Sequence, residues 1–259
     1  MVISDMITGL ELFKERFAAY ADSYVLIGGA ACYVHEEAGA QMPRATKDLD
    51  VVLVVEALSA DFVREFWQFV REGGYERRQR SADKHECFRF LKPQDKRYPK
   101  QIELFARAIG GLHIPDDAHL EPIPAEDELS SLSAILMNES YYRFTIAHSR
   151  LEDGLHVANA EALIGLKAKA YNDLRARKEQ GGDVDSDDIE KHKKDVFRLA
   201  PMLTEGARYA LPEEMEADMR EFVARVAEEL PNEDFLRAAG LGAQRVEGLL
   251  DVLKRAYLE

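Results

Sequence analysis

Cysteine is scarce: Cys32 and Cys87 are the two in 259 residues. Two thiols cannot build a disulfide framework, and they suit a reducing cytoplasm. No apolar run approaches the ~20 residues of a membrane-crossing helix. The opening MVISDMITGLELFKERF has no basic stretch followed by an apolar one, so no secretory signal is expected. Positive charge is in deficit, with 34 Lys and Arg against 48 Asp and Glu and a formal net charge of −14. Such a surface repels phosphate backbones, which excludes broad, non-specific binding to nucleic acid. One stretch departs from this: from Glu76 to Lys100 nine Lys or Arg stand against four Asp or Glu. A solvated hairpin accounts for it, and an RNA contact is the sharper alternative. Zinc spacing is missing among Cys32, His35, His85 and Cys87. His148 and His156 show no evident partner and read as structural or surface residues. There is no G-x-S-x-G, Walker A or G-x-G-x-x-G. DVDSDD, residues 183–188, lacks the glycine and final glutamate of an EF-hand.

What is present divides in two. Hydrophobic residues make up 46% of the chain, enough for a core without staples. Leu10 to Tyr20 reads as a short amphipathic helix. YVLIGG, from Tyr24, is an apolar β-branched run stopped by glycine, hence a buried strand. AACYVHEEAG then reads as a helix closing at Gly39, and LDVVLVV as a second buried strand. Ser59 or Asp61 can cap a helix whose apolar positions are Phe62, Phe66, Phe69 and Val70, ended by Gly73 and Gly74. CFRFL and QIELFA read as strands around a basic turn, and YYRFTIA, from Tyr141, as another strand. Beyond about residue 155 helical periodicity takes over. Asn159 can cap a helix from Ala160 to about Lys178, a second runs from Asp188 to Leu203, and Met215, Met219, Phe222, Val226 and Leu230 form a later stripe. The expectation is an α+β domain over residues 1–155 followed by an α-helical domain over 156–259.

Side chains alternate along a strand, so Asp48 and Asp50 share a face while Leu49 and Val51 point into the core. Two carboxylates so close repel each other unless a cation sits between them. Mg²⁺, a hard ion held by carboxylates and substrate phosphates, is the usual guest, and a solvated strand end is the bland alternative. Glu103 sits between Ile102 and Leu104 and faces away from both. Gly28 and Gly29 can bring bare backbone N–H groups against a phosphate, or simply make a tight turn.

A strand, Gly28-Gly29 and a helix, then Arg44-x-Thr46-x-Asp48-Leu49-Asp50, then an acid on a later strand, together resemble the nucleotidyltransferases of the DNA polymerase β type. Within them the chain is most similar to the AbiEii-like abortive-infection group, toxins of some toxin–antitoxin pairs. The resemblance implies a nucleotidyltransferase-like mixed sheet and an enzyme with a nucleoside triphosphate as substrate. It implies that Gly28 and Gly29 hold phosphates, with Arg44 and Thr46 in the nucleotide-binding loop. Asp48 and Asp50 would carry two Mg²⁺ ions, and Glu103 would bind one of them and activate the attacking hydroxyl. The acceptor would be RNA, a protein or a small molecule, and the partner an antitoxin protein. Eighteen residues separate Gly29 from Asp48, more than the family usually has, which implies a longer helix and loop.

The helical part carries a second signal. With Leu163 at zero and about 100° per residue, Leu166, Ala170 and Leu174 lie on its side of the helix. Lys167 falls inside the same arc, and Lys169 falls opposite, toward solvent. A lysine on a packing face meets an anion or snorkels to the edge. The resemblance assigns Lys167 to the triphosphate. In DIEKHKKDVFRLA, Lys193 edges the buried stripe, and Asp195 orients a lysine or the nucleotide, with a solvated face as the alternative. Two rival readings remain open: a metal-dependent D-x-D glycosyltransferase, and a non-catalytic nucleotide-sensing or protein-binding module on the same fold.

Overall fold

The computed structural model describes residues 7–38, 46–77, 88–107 and 138–259. They pack as two compact units that interleave along the chain. The first holds described residues up to 34, those of 46–107, and Ser149–Ala158; the second holds 35–38, 138–148 and Asn159–Glu259.

The first unit is built on a seven-stranded sheet of described residues. Its strands are β1 (Tyr24–Ile27), β2 (Asp48–Leu53), β3 (Glu76–Arg77), β4 (Phe88–Leu91), β5 (Gln101–Phe105), β6 (Ser149–Glu152) and β7 (Leu155–Ala158). They lie in the order β3-β4-β5-β2-β1-β7-β6. The sheet is mixed: β2 runs parallel to β5 and β1 to β7, while β1–β2, β4–β5 and β6–β7 are antiparallel. β1 is buried throughout, as its unbroken apolar run requires of a central strand.

Two helices, α1 (Leu10–Phe17) and α3 (Ala60–Gly73), put aromatic side chains on one face of this sheet. Phe13 meets Tyr24 edge-on at 5.2 Å, Phe66 meets Phe90 at 5.6 Å, and Phe69 meets Tyr98 at 4.7 Å. Each phenylalanine so buried is worth about 1.5–3 kcal/mol over an exposed one. The ends of α3 follow its sequence. Ser59 accepts from the Phe62 N–H at 3.1 Å, and Gly74 closes the helix at φ 62°. Between β1 and β2 runs α2 (Gly28–Ala38), which begins on the first glycine itself.

YYRFTIA is not a strand. It lies in helix α4 (Glu139–Ala147), because Asn138 caps the first turn, accepting from Ser140 N–H at 2.8 Å. Tyr141, Tyr142, Phe144 and Thr145 are then buried together at helical spacing. Past α4 the chain makes the β6–β7 hairpin, which has no counterpart in the sequence expectation. Asp153 and Gly154 turn it at φ 46° and 78°, the left-handed pair that a two-residue hairpin demands.

The second unit is helical: α4, α5 (Ala160–Glu179), α6 (Ser186–Leu199), α7 (Glu213–Glu228), α8 (Glu233–Ala238) and α9 (Val246–Tyr257). The α+β fold class with a helical C-terminal part is thus as expected. Asp185, in the rejected EF-hand stretch, caps α6 by accepting from the Asp187 N–H. α5 is central, and its buried residues run almost all round it. Leu230 lies past the end of α7 and is exposed. Among the described residues no helix is long and apolar enough to cross a membrane.

Candidate active site

β1 and β2 pair so that Ile27 stands opposite Asp50, and the chain turns into α2 at the next residue, Gly28. That turn passes through a left-handed conformation, φ 64°. A Cβ on Gly28 would lie 1.8 Å from Asp50 Oδ2, so the bare glycine is what lets the carboxylate fit against the start of the helix. A Cβ on Gly29 would lie 2.6 Å from Thr46 Oγ1. The structure therefore brings together Gly28, Gly29, Thr46 and Asp50. Arg44 lies outside the described residues, as does Gly39, the expected end of α2.

The parallel register of β2 and β5 sets Asp48 opposite Gln101 and Asp50 opposite Glu103. Paired residues share a face, so the three acids occupy the face opposite the aromatic core. Asp48 and Asp50 are partly exposed, whereas Glu103 is buried. The antiparallel partner of Glu103 on β4 is Arg89, whose Nε lies 2.6 Å from Glu103 Oε1. Gln101 Nε2 donates to the same oxygen at 2.5 Å. Burial pushes the Glu103 carboxyl above the ordinary glutamate value. The Arg89 charge pulls it back, and the Asp48 charge adds to the rise.

Sequence reasoning missed Arg89. The signal was available: in an antiparallel hairpin the arginine of CFRFL, between Phe88 and Phe90, faces the same way as the acid of QIELF. All the ligands on offer are carboxylate oxygens, which suits a hard divalent cation. Among the described residues, no three His, Cys, Asp or Glu side chains stand as a metal-holding group. Asp48 and Asp50 share one face of β2, and Glu103 stands in register beside Asp50 with one oxygen already taken.

In the helical unit Lys167 and Asp195 form a buried ion pair between α5 and α6, Nζ to Oδ2 at 3.0 Å. Lys193 pairs with Glu190 at 2.6 Å and lies 5.3 Å from the centre of the Phe235 ring. Lys169 is not turned to solvent. It is half-buried, bonded to Asp173 at 2.7 Å and 3.5 Å from Asp218 of α7, because α7 covers the side of α5 that a one-faced helix would leave wet. Tyr141 donates to Asp218 at 2.6 Å, and burial followed by that carboxylate pushes its hydroxyl pKa up. Arg198 pairs with the buried Glu36 at 2.6 Å and donates to the Ala239 carbonyl at 2.9 Å. Both histidines have partners: His148 Nδ1 lies 3.1 Å from Glu161, and His156 bridges the Ala21 carbonyl and Ser149. Cys32 is buried.

No protein-family model matches the chain, and no curated protein matches it. Among solved structures it is similar to an antigenic nucleotidyltransferase-like protein from Paracoccidioides brasiliensis. That match has 14% identity and a TM-score of 0.43, covering 90% of this chain and 93% of the other. It is also similar to JHP933 from Helicobacter pylori, at 13% identity and a TM-score of 0.35, covering 95% of this chain and 91% of the other.

Proposed function

We propose that the chain is a Mg²⁺-dependent nucleotidyltransferase, moving a nucleoside monophosphate from a nucleoside triphosphate to an acceptor hydroxyl with release of pyrophosphate. The observation that carries this reading is the contact of Gly28 with Asp50, on a face where Asp48 and Glu103 stand in register. In this reading the sheet-bearing first unit carries the chemistry, beside the helical unit, so that β7 belongs to the former and α4 to the latter. Asp48 and Asp50 are the metal ligands, joined by Glu103. Mg²⁺, when bound, supplies charge neutralisation to the triphosphate and acidity to the acceptor hydroxyl. The Gly28 and Gly29 backbone and the Thr46 hydroxyl meet the phosphates. The acceptor oxygen bonds to the α-phosphorus as the bond to the bridging oxygen breaks, and pyrophosphate leaves with that electron pair. Glu103 takes the acceptor proton. Phosphate roles for Lys167 and Lys193, with Asp195 orienting Lys167, rest on the family resemblance.

The test is incubation with each labelled nucleoside triphosphate, Mg²⁺ and total RNA or protein. Label should appear on an acceptor, and Asp50→Asn should abolish it with the circular-dichroism spectrum unchanged. Persistence of transfer in that variant would refute the assignment. The toxin role implied by the resemblance predicts, in addition, growth arrest on expression that Asp50→Asn relieves. One observation favours a second reading, a nucleotide-binding module without transfer: Arg89 occupies an oxygen of the third acid. Triphosphate binding with no labelled acceptor would select it.

A further inference from the structure

We propose that Arg89 is a placeholder for a divalent cation at Glu103, giving up that carboxylate when the ion arrives. The inference rests on the metal-dependent reading above and adds to it the residue that governs the third ligand. Glu103 is 4% exposed, and a carboxylate so buried needs a counter-charge. Arg89 supplies it from the neighbouring strand at 2.6 Å. The two partners are not equally trapped: the Glu103 side chain is 5% exposed and that of Arg89 24%. The guanidinium can withdraw toward water on its long stem, and Glu103 cannot.

The pair is also poorly aligned. Arg89 Nε lies close to Glu103 Oε1 without the alignment of a good hydrogen bond. The Arg89 charge contributes more at the Glu103 carboxyl than the hydrogen bonding does, and a cation can supply charge. Arg89 and Gln101 both reach Oε1, which leaves Oε2 for a further ligand. Asp50 stands opposite Glu103 on the next strand, and the Asp48 charge is felt at Glu103. Three acids thus crowd one face, yet they do not form a metal-holding group. Arg89 is the cation that the third acid already holds. Exchange of the guanidinium for a divalent ion puts two positive charges where one stood, the second met by the Asp48 and Asp50 carboxylates on the same face, and breaks no covalent bond.

Mn²⁺ binding to the purified full chain, without nucleotide, tests this by electron paramagnetic resonance of the free ion. Arg89→Gln removes the charge and keeps a hydrogen-bond donor, and it should bind Mn²⁺ about tenfold more tightly than wild type, the order expected when one charge-assisted contact to the carboxylate no longer has to be given up. Arg89→Lys keeps the charge and should stay within about twofold of wild type. In a Glu103→Gln background the gain from Arg89→Gln should vanish, since the arginine acts through that carboxylate. If Arg89→Gln alone does not stay folded, the double variant has no stranded charge and must match Glu103→Gln. Affinity unchanged or weakened in Arg89→Gln overturns the placeholder role and leaves the metal reading standing. So does a gain that survives in the Glu103→Gln background. Absence of Mn²⁺ binding in wild type and Arg89→Gln alike overturns both.

Discussion

Gly28 shows how one missing atom shapes the candidate site. Its φ of 64° costs an alanine about 1 kcal/mol, and the added Cβ would stand 1.8 Å from Asp50 Oδ2, so the carboxylate would have to rotate off its place. Gly28→Ala should therefore remain folded, unfold at a lower temperature, and lose at least about tenfold in Mn²⁺ affinity. Thermal melting and Mn²⁺ titration check the two halves of that statement. Lys167 raises the opposite question, a charge whose partner is already present. Removing one member of a buried pair strands the other and costs about 3–5 kcal/mol, whereas replacing both with apolar groups is often near neutral. Lys167→Met should show that loss in urea unfolding, and Lys167→Met with Asp195→Leu should recover most of it. Failure of the double variant to recover would mean that Lys167 serves more than Asp195.

Elements whose signals are local were legible. α3 had its cap, its apolar spacing and its terminal glycine in the chain, and all three stand where they were expected. Ser59→Ala should cost about 1 kcal/mol in chemical denaturation, since it removes the oxygen that meets the Phe62 N–H. The sharing of a face by Asp48 and Asp50 follows from strand alternation alone, but the register that sets Glu103 opposite Asp50 needed the folded sheet. Elements decided by their neighbours were misread. YYRFTIA has strand-forming residues, and it is Asn138 and the packing of α4 that make it helical. Lys169 was misplaced because a wheel with one apolar arc assumes one buried side, and α5 is surrounded. The Asp153-Gly154 turn was readable as a hairpin signal, and its flanks, SRLE and LHVA, are too short to announce strands. Glu36 and Arg198 stand 162 positions apart, and no local pattern links them.

Across the whole molecule the excess of acid predicts how stability responds to pH. Burial raises the Asp173 carboxyl above the ordinary aspartate value, against the pull of Lys169 and with help from the Asp218 and Glu221 charges. A carboxyl raised in the folded state binds more protons there than in the unfolded chain, so stability falls as pH rises through that raised value. Read downward, acidification relieves Asp173 first, before ordinary carboxylates protonate. Glu179 and Glu229 are held below the usual glutamate range by Arg225 and Arg175, and their exposed pairs are lost only when pH drops under that range. The net charge of −14 acts in the same direction as Asp173, because protons reduce self-repulsion. The thermal midpoint should thus climb as pH is lowered from about 8, pass a maximum on the acid side of neutral, and fall below about pH 4. Salt separates the two contributions. At about 1 M NaCl, where the screening length is ~3 Å, the share due to net charge should fade while the share due to the half-buried Asp173 persists. Asp173→Asn should then reduce what remains of the slope between about pH 4 and neutrality, the rest belonging to the raised, buried Glu103. A slope unchanged in that variant would place the proton uptake on another group.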